Sequence, residues 1–303
     1  MEELRVELLT GGMSNHSLVL TRGSDQWAVR LPLPARIGMT LDPETEARVL
    51  TVAANEKLTP EVVAFDAETG VLVTRYLQGA APLNAKQVQE HTCIDRIAAT
   101  MRRLHSLPAP AVLRDFRPTK LAYAYIDAAS ELPGAQHALV GERRRWSAEF
   151  IRLAEEYEAA FKPAVLCHND LVAANFLDDG RLWLVDFEYA VRADPIVDLA
   201  GLSGLNGFGP DNTRRLLNAY YGPESVSVSI TQFDRVIRLV RLMAFFWVLA
   251  HGGNRPTPGT LCRFNGRSAK VAPIFRRPKE SPTCRTKLPF WVLESWATPW
   301  PDG

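Results

Sequence analysis

Cysteine is scarce in this chain: Cys93, Cys167, Cys262 and Cys284 are widely spaced and form no Cys-x-x-Cys pair. That excludes a disulfide framework and a structural zinc site, and fits thiols kept reduced in a cytosol. Excess charge is also lacking. Lys and Arg number 35 against 34 Asp and Glu, so the global balance recruits neither nucleic acid nor a membrane surface, and any phosphate affinity must be local. Long apolar runs are missing as well: the richest, residues 239–250, is interrupted by Arg241 and is too short to cross a bilayer. The opening Met-Glu-Glu-Leu-Arg has neither the basic region nor the apolar core of a signal peptide, and there is no internal repeat. The expectation is a soluble cytoplasmic protein with no membrane or nucleic-acid partner, its oligomeric state open.

With 303 residues, 47% of them hydrophobic, the chain can bury a core in two domains or one bilobal unit. The first part is strand-rich. Residues 2–9, 17–21 and 26–33 alternate as strands do, with Gly11 and Gly12 where a hairpin turns. Asp42 and Pro43 predict a helix start, with Glu44 and Glu46 in the first turn, where acids suit the helix dipole. Residues 60–65 and 71–77 read as two further strands, and Gly79 with Pro82 marks a change of character. Beyond it the pattern turns helical: Ile94, Ile97, Ala98, Met101 and Leu104 recur at helical spacing within residues 88–107, and polar helical sequence covers 122–161. The apolar strand 164–167 runs into His168-Asn169-Asp170. A hairpin follows, its arms at 175–177 and 181–187 joined by Asp178-Asp179-Gly180, which predict a positive-φ turn. Helices are expected over 213–221 and 230–250. Residues 251–303 are rich in Pro and Arg, poor in acids and without period, yet carry Trp291, Trp296 and Trp300; both a loosely ordered and an irregularly packed extension fit.

The chemistry concentrates in His168-x-Asp170, Asn175 and, one hairpin later, Asp186-Phe187-Glu188. A phosphoryl donor carrying Mg²⁺ needs hard oxygen ligands, and a carboxylate at a strand end with an amide oxygen on the neighbouring loop suits that task; Asp186 and Asn175 are the candidates. Asp170 is the candidate base that orients an acceptor hydroxyl and takes its proton. His168 reads as a support of the loop by hydrogen bonds. Each Asp alone would more simply cap a turn; in this combination the functional reading prevails.

The segment Leu166-Cys167-His168-Asn169-Asp170-Leu171-Val172-Ala173-Ala174-Asn175 resembles the catalytic loop of the choline/ethanolamine kinase and aminoglycoside phosphotransferase superfamily. Val185-Asp186-Phe187-Glu188-Tyr189-Ala190 resembles its metal-binding segment. The resemblance implies an α+β, bilobal protein-kinase-like fold: an antiparallel-sheet lobe with one helix over 1–78, a mainly helical lobe over 79–250, and 251–303 departing from the family. It also implies ATP and Mg²⁺, with Asp186 holding the metal, Glu188 assisting, and Asp198 bracing the catalytic loop. Gly11, Gly12, Ser14 and Asn15 resemble the phosphate-covering loop. Arg30 stands where protein kinases carry Lys, its planar fork able to engage phosphate and carboxylate together, and Glu46 matches its helix partner. Arg75, Tyr76 and Leu77 are position-based candidates beside an adenine-reading hinge at 78–82. For the acceptor, Tyr189 and Trp247 are the candidate aromatics, Phe245 and Phe246 reading as helix packing. Choline or ethanolamine is favoured over thiamine or an aminoglycoside. A nucleotide-binding regulatory module without transfer activity remains the alternative, and a metallohydrolase is disfavoured because no second histidine lies at ligand spacing.

Overall fold

The computed structural model describes residues 5–9, 15–32, 41–130, 140–223 and 229–250. Gly11, Gly12 and Ser14, the side chain of Asn15 and the whole of 251–303 lie outside the described residues.

The first half builds one antiparallel sheet of order β1-β2-β3-β5-β4, from β1 (Arg5–Leu9), β2 (Asn15–Arg22), β3 (Asp25–Pro32), β4 (Val62–Phe65) and β5 (Leu72–Arg75). Gly23, at φ 58°, supplies the left-handed residue that closes the β2–β3 hairpin in two residues. α1 (Pro43–Asn55) follows from its start signal: Asp42 accepts a 2.9 Å hydrogen bond from the Thr45 N–H, Pro43 occupies the first turn, and Val49, Leu50 and Ala53 form the buried face. Both ends of this helix are tied to the second half. Before its first turn the Leu41 N–H donates to the Glu188 carbonyl at 2.8 Å; after its last, the Leu58 carbonyl accepts from the Leu184 N–H at 2.7 Å.

The second half contains α2 (His91–His105), α3 (Pro118–Ser130), α4 (Val140–Ala160), α5 (Ile196–Leu205), α6 (Pro210–Tyr221) and α7 (Ile230–Ala250). Five short strands accompany them: β6 (Ala81–Pro82) ahead of α2, and β7 (Val165–Cys167), β8 (Phe176–Asp178), β9 (Leu182–Leu184) and β10 (Val191–Ala193) between α4 and α5. β6, β8 and β9 form one ribbon; β7 and β10 pair antiparallel. The helical period of α2 is realised in full: Ile94, Ile97, Ala98, Met101 and Leu104 are completely buried. Each of the larger ones contributes roughly 1.5–3 kcal/mol by leaving water. α7 packs on α5, α3 and α4. Its approach to α5 needs Gly204, where an added Cβ would meet the Ile237 Cγ2 at 3.2 Å. Among the described residues no helix is long and apolar enough to cross a membrane.

Two details differ from the sequence reading. Of the three residues expected to supply positive φ in the β8–β9 turn, only Gly180 does so, at φ 101°. A three-residue loop needs one left-handed position rather than two, and Asp178 and Asp179 instead accept turn hydrogen bonds from the N–H groups of Gly180 and Arg181. Residues 87–89 form a 3₁₀ turn ahead of α2, which begins at His91.

Candidate active site

The loop after β7 holds the candidate catalytic residues, and its backbone is unusual. Among the described residues, three non-glycine positions have positive φ: Lys57, Asn169 at 64° and Asp186 at 68°. Asn169 directly precedes Asp170 and Asp186 is itself a candidate, and Asn and Asp are the residue types that tolerate this conformation most readily. Asn169 thereby turns the chain so that both its own N–H and that of His168 point at Asp198, whose carboxylate accepts them at 2.7 and 2.8 Å. Asp198 is 1% exposed.

Asp170, the next residue, is met by Asn175. The Asn175 Nδ2 donates to the Asp170 carbonyl at 2.8 Å and to its carboxylate Oδ2 at 2.9 Å. The Asn175 carbonyl accepts from the Val185 N–H at 3.0 Å, which joins the loop to the strand leading into Asp186. His168 is fully buried; its Nε2 donates to the Val185 carbonyl at 2.9 Å and its ring packs on Phe187 at 4.5 Å. Burial holds its pKa down, so it sits as a neutral support between the two segments.

From the sheet, Arg30 reaches the same place. Its guanidinium grips Glu46 with both nitrogens, at 2.6 and 2.8 Å, and its Nη1 lies 3.4 Å from the Asp186 carboxylate. The side chains of Arg30 and Glu46 are 12% and 6% exposed. Burial opposes the Arg30 charge, but the Glu46 carboxylate outweighs it and holds the guanidinium above its ordinary range. The acids face the reverse balance. Burial, and then the charges of Glu188 and Asp198, push Asp170 up to about 7 against the pull of Asn175. Burial, with Glu188 next, pushes Asp186 up to about 8 despite Arg30. Asp170, Asp186 and Glu188 thus crowd three carboxyl groups into one buried place, where a hard divalent cation such as Mg²⁺ would relieve their mutual repulsion; the donor set fits such an ion.

The remaining candidates divide. Tyr189 and Trp247 meet edge to face, ring centroids 6.3 Å apart, and Asn169 Nδ2 donates to the Tyr189 carbonyl at 3.2 Å. Phe245 and Phe246 are core residues packed on Trp146 and Phe150. Arg75 is not brought to the Asp170 cluster: it engages Asp25 and Glu61 and lies over the Trp27 ring. Tyr76 continues the sheet through its N–H to the Gln26 carbonyl at 3.1 Å, and the Leu77 carbonyl closes a turn with the Ala80 N–H at 3.2 Å.

Sequence reasoning missed the layer beneath the loop. His105, at the end of α2, bonds Asp198 through Nε2 at 3.1 Å and the Tyr220 hydroxyl through Nδ1 at 2.7 Å, with the Cys167 thiol 4.0 Å away. His105, Cys167 and Asp198 lie close enough to hold a metal. Asp198 already accepts two backbone N–H groups as well as His105, so this group reads as loop support. A histidine closing an amphipathic helix gives no sign of such a partner.

Comparison with known proteins shows the family and the fold. The model of the family described as "Phosphotransferase enzyme family" matches residues 5–227. A protein named LicA from Haemophilus influenzae is 29% identical over 193 residues, 63% of this chain and 55% of LicA, so the chain spans little more than half that relative's length. The structure of choline kinase LicA from Streptococcus pneumoniae superposes with a TM-score of 0.69 at 23% identity, covering 84% of this chain and 88% of that one. A choline/ethanolamine kinase family protein from Mesorhizobium loti gives 0.60 at 28% identity, covering 84% and 82%.

Proposed function

The chain belongs to the phosphotransferase enzyme family, and from that premise we propose that it transfers the γ-phosphoryl group of ATP to the hydroxyl of a small cationic alcohol, choline or ethanolamine before thiamine or an aminoglycoside. The observation that carries this reading is the convergence of Asp170, Asn175 and Asp186 with the Arg30–Glu46 pair, contributed by both halves of the molecule.

In this reading Asp170 receives the acceptor hydroxyl and takes its proton as the new oxygen–phosphorus bond forms and the bond to the β-phosphate oxygen breaks, releasing ADP. At pH 8 a group titrating near 7 is mostly carboxylate, the form that accepts. Asn175 fixes the direction of that carboxylate. Asp186, with Asn175 and Glu188 beside it, would hold Mg²⁺, which when bound supplies charge neutralisation to the phosphate oxygens. Arg30, kept in place by Glu46, presents a fixed cation to the phosphates, and Gly11, Gly12, Ser14 and Asn15 are assigned to cover them. The Tyr189–Trp247 pair supports a cationic acceptor, because a quaternary ammonium has no proton to donate and binds the faces of aromatic rings.

The test is ATP turnover by the purified chain with choline, ethanolamine, thiamine and an aminoglycoside, with Mg²⁺ present and then chelated, alongside Asp170→Asn. Magnesium-dependent turnover on one of the alcohols, lost in the variant, is expected. Nucleotide binding without turnover on any acceptor would instead mark a regulatory module.

A further inference from the structure

The catalytic loop is gripped at two points, on either side of Asp170. Asn206, the residue that ends α5, is 4% exposed and uses every polar atom of its amide. Its Oδ1 accepts from the Ala173 N–H at 2.8 Å; its Nδ2 donates to the Leu171 carbonyl at 2.8 Å and to the Leu202 carbonyl at 2.9 Å. Asp198, two turns earlier on the same helix, holds the N–H groups of His168 and Asn169. Asp170 lies between the two grips, its backbone fixed on the upstream side by one side chain of α5 and on the downstream side by another.

The end of α5 is shaped for this. Gly207 adopts φ 67° and Phe208 N–H returns to the Ser203 carbonyl at 3.0 Å, so the helix stops with a left-handed residue directly after Asn206, whose side chain reaches the loop. The site is itself anchored, since the Asn206 carbonyl accepts from Gln89 Nε2 at 3.1 Å. Leu171 and Ala173 are 1% and 2% exposed, so their backbone groups are cut off from bulk water and depend on the amide. No other residue type meets the pattern. Aspartate would set an oxygen against the two carbonyls that now accept N–H groups, and glutamine is one methylene too long.

We propose that Asn206 is a positioning residue for phosphoryl transfer, clamping residues 171–173 so that Asp170 keeps its aim at the acceptor hydroxyl. This rests on the assignment of Asp170 as the group that receives that hydroxyl. It does not touch substrate or nucleotide; its effect passes through Asp170. A misplacement of the reacting groups by about 1 Å is enough to lower a rate by about 100-fold.

Asn206→Ala and Asn206→Asp should therefore lower kcat by about 100-fold, with the KM for ATP and nucleotide affinity changed less than about threefold. Asp170→Asn combined with Asn206→Ala should be no slower than Asp170→Asn alone, because both act through one carboxylate. Phe150→Leu, a core change on α4, controls for lost stability and should leave kcat nearly intact below its melting point. Hydrogen exchange of a peptide spanning residues 168–176 gives an arm independent of turnover: its protection should fall in Asn206→Ala and survive in Asp170→Asn. Multiplying losses in the double variant, a kcat unchanged in Asn206→Ala, or unchanged exchange would each overturn the proposal. Absence of turnover in the parent chain on every acceptor would sink the assignment of Asp170 instead, while the exchange result would still decide whether Asn206 clamps the loop.

Discussion

Two regions of the molecule hold charged groups in place by opposite means. On the sheet side, Arg30 is fixed by another charge, the Glu46 carboxylate, and leans on Asp186. On the helical side, Asp170 is fixed by neutral backbone groups that Asp198 and Asn206 collect from either side of it. A buried ion pair fails badly when one member is lost, because the other is left as an uncompensated charge. A loop bound through its own amides can lose charge and keep its shape. On the proposed function, the first arrangement serves nucleotide binding and the second serves transfer.

The sharpest break should come at the acids. Asp170→Asn is expected to reduce turnover by about 1,000-fold while leaving ATP affinity intact, and Asp186→Ala to reduce both. Titration calorimetry with Mg·ATP separates them, and equal loss of nucleotide affinity in the two variants would erase the division. Next comes the ion pair. Glu46→Ala and Arg30→Ala each strand a mostly buried partner and should destabilise the fold by about 3 kcal/mol in chemical denaturation, and Arg30→Ala should in addition raise the KM for ATP by about 10-fold or more. A Glu46→Ala protein as stable as the parent would show that the pair is not a structural strut.

A pH experiment sharpens the contrast further. Asp170 and Asp186 titrate near 7 and 8 in the folded chain and near 4 when unfolded. The native state thus binds these protons more tightly, so their contribution favours folding fully below about pH 4, declines as pH rises, and is gone above about pH 8. Added Mg²⁺ should offset that loss, raising the melting temperature more at about pH 8.5 than at about pH 5.5; the reverse order would count against a cation among these acids. The smallest effect belongs to Arg96, which pairs with Asp178 on the β8–β9 ribbon at 2.7 Å but is 40% exposed. Arg96→Ala should change stability by only about 0.5 kcal/mol, measurable as a small shift in denaturant midpoint with turnover unaffected.

Much of this arrangement was legible in the chain because its determinants are local. Asp42-Pro43 announces a helix start, the spacing from Ile94 to Leu104 announces a buried face, and Asp170, Asn175 and Asp186 are close in sequence and separated only by a hairpin. Arg30 and Glu46 could be paired because the resemblance to a known family supplied what spacing could not. α5 was invisible as a helix: it is apolar on nearly every side, so it offers no amphipathic period. The pairing of β7 with β10, and the reach of His105 and Asn206 to the loop, are contacts between segments distant in sequence. No local signal distinguishes an Asn that clamps a neighbour's backbone from one that merely ends a helix.

The tethering of α1 at both ends has a mechanical consequence. Bonded to Glu188 before its first turn and to Leu184 after its last, this helix is pinned at both ends to the helical half while it also packs on β4 of the sheet. Arg30 on β3, gripping Glu46 on α1, fastens the sheet to that helix. A nucleotide that draws on Arg30 would be pulling on the latch itself.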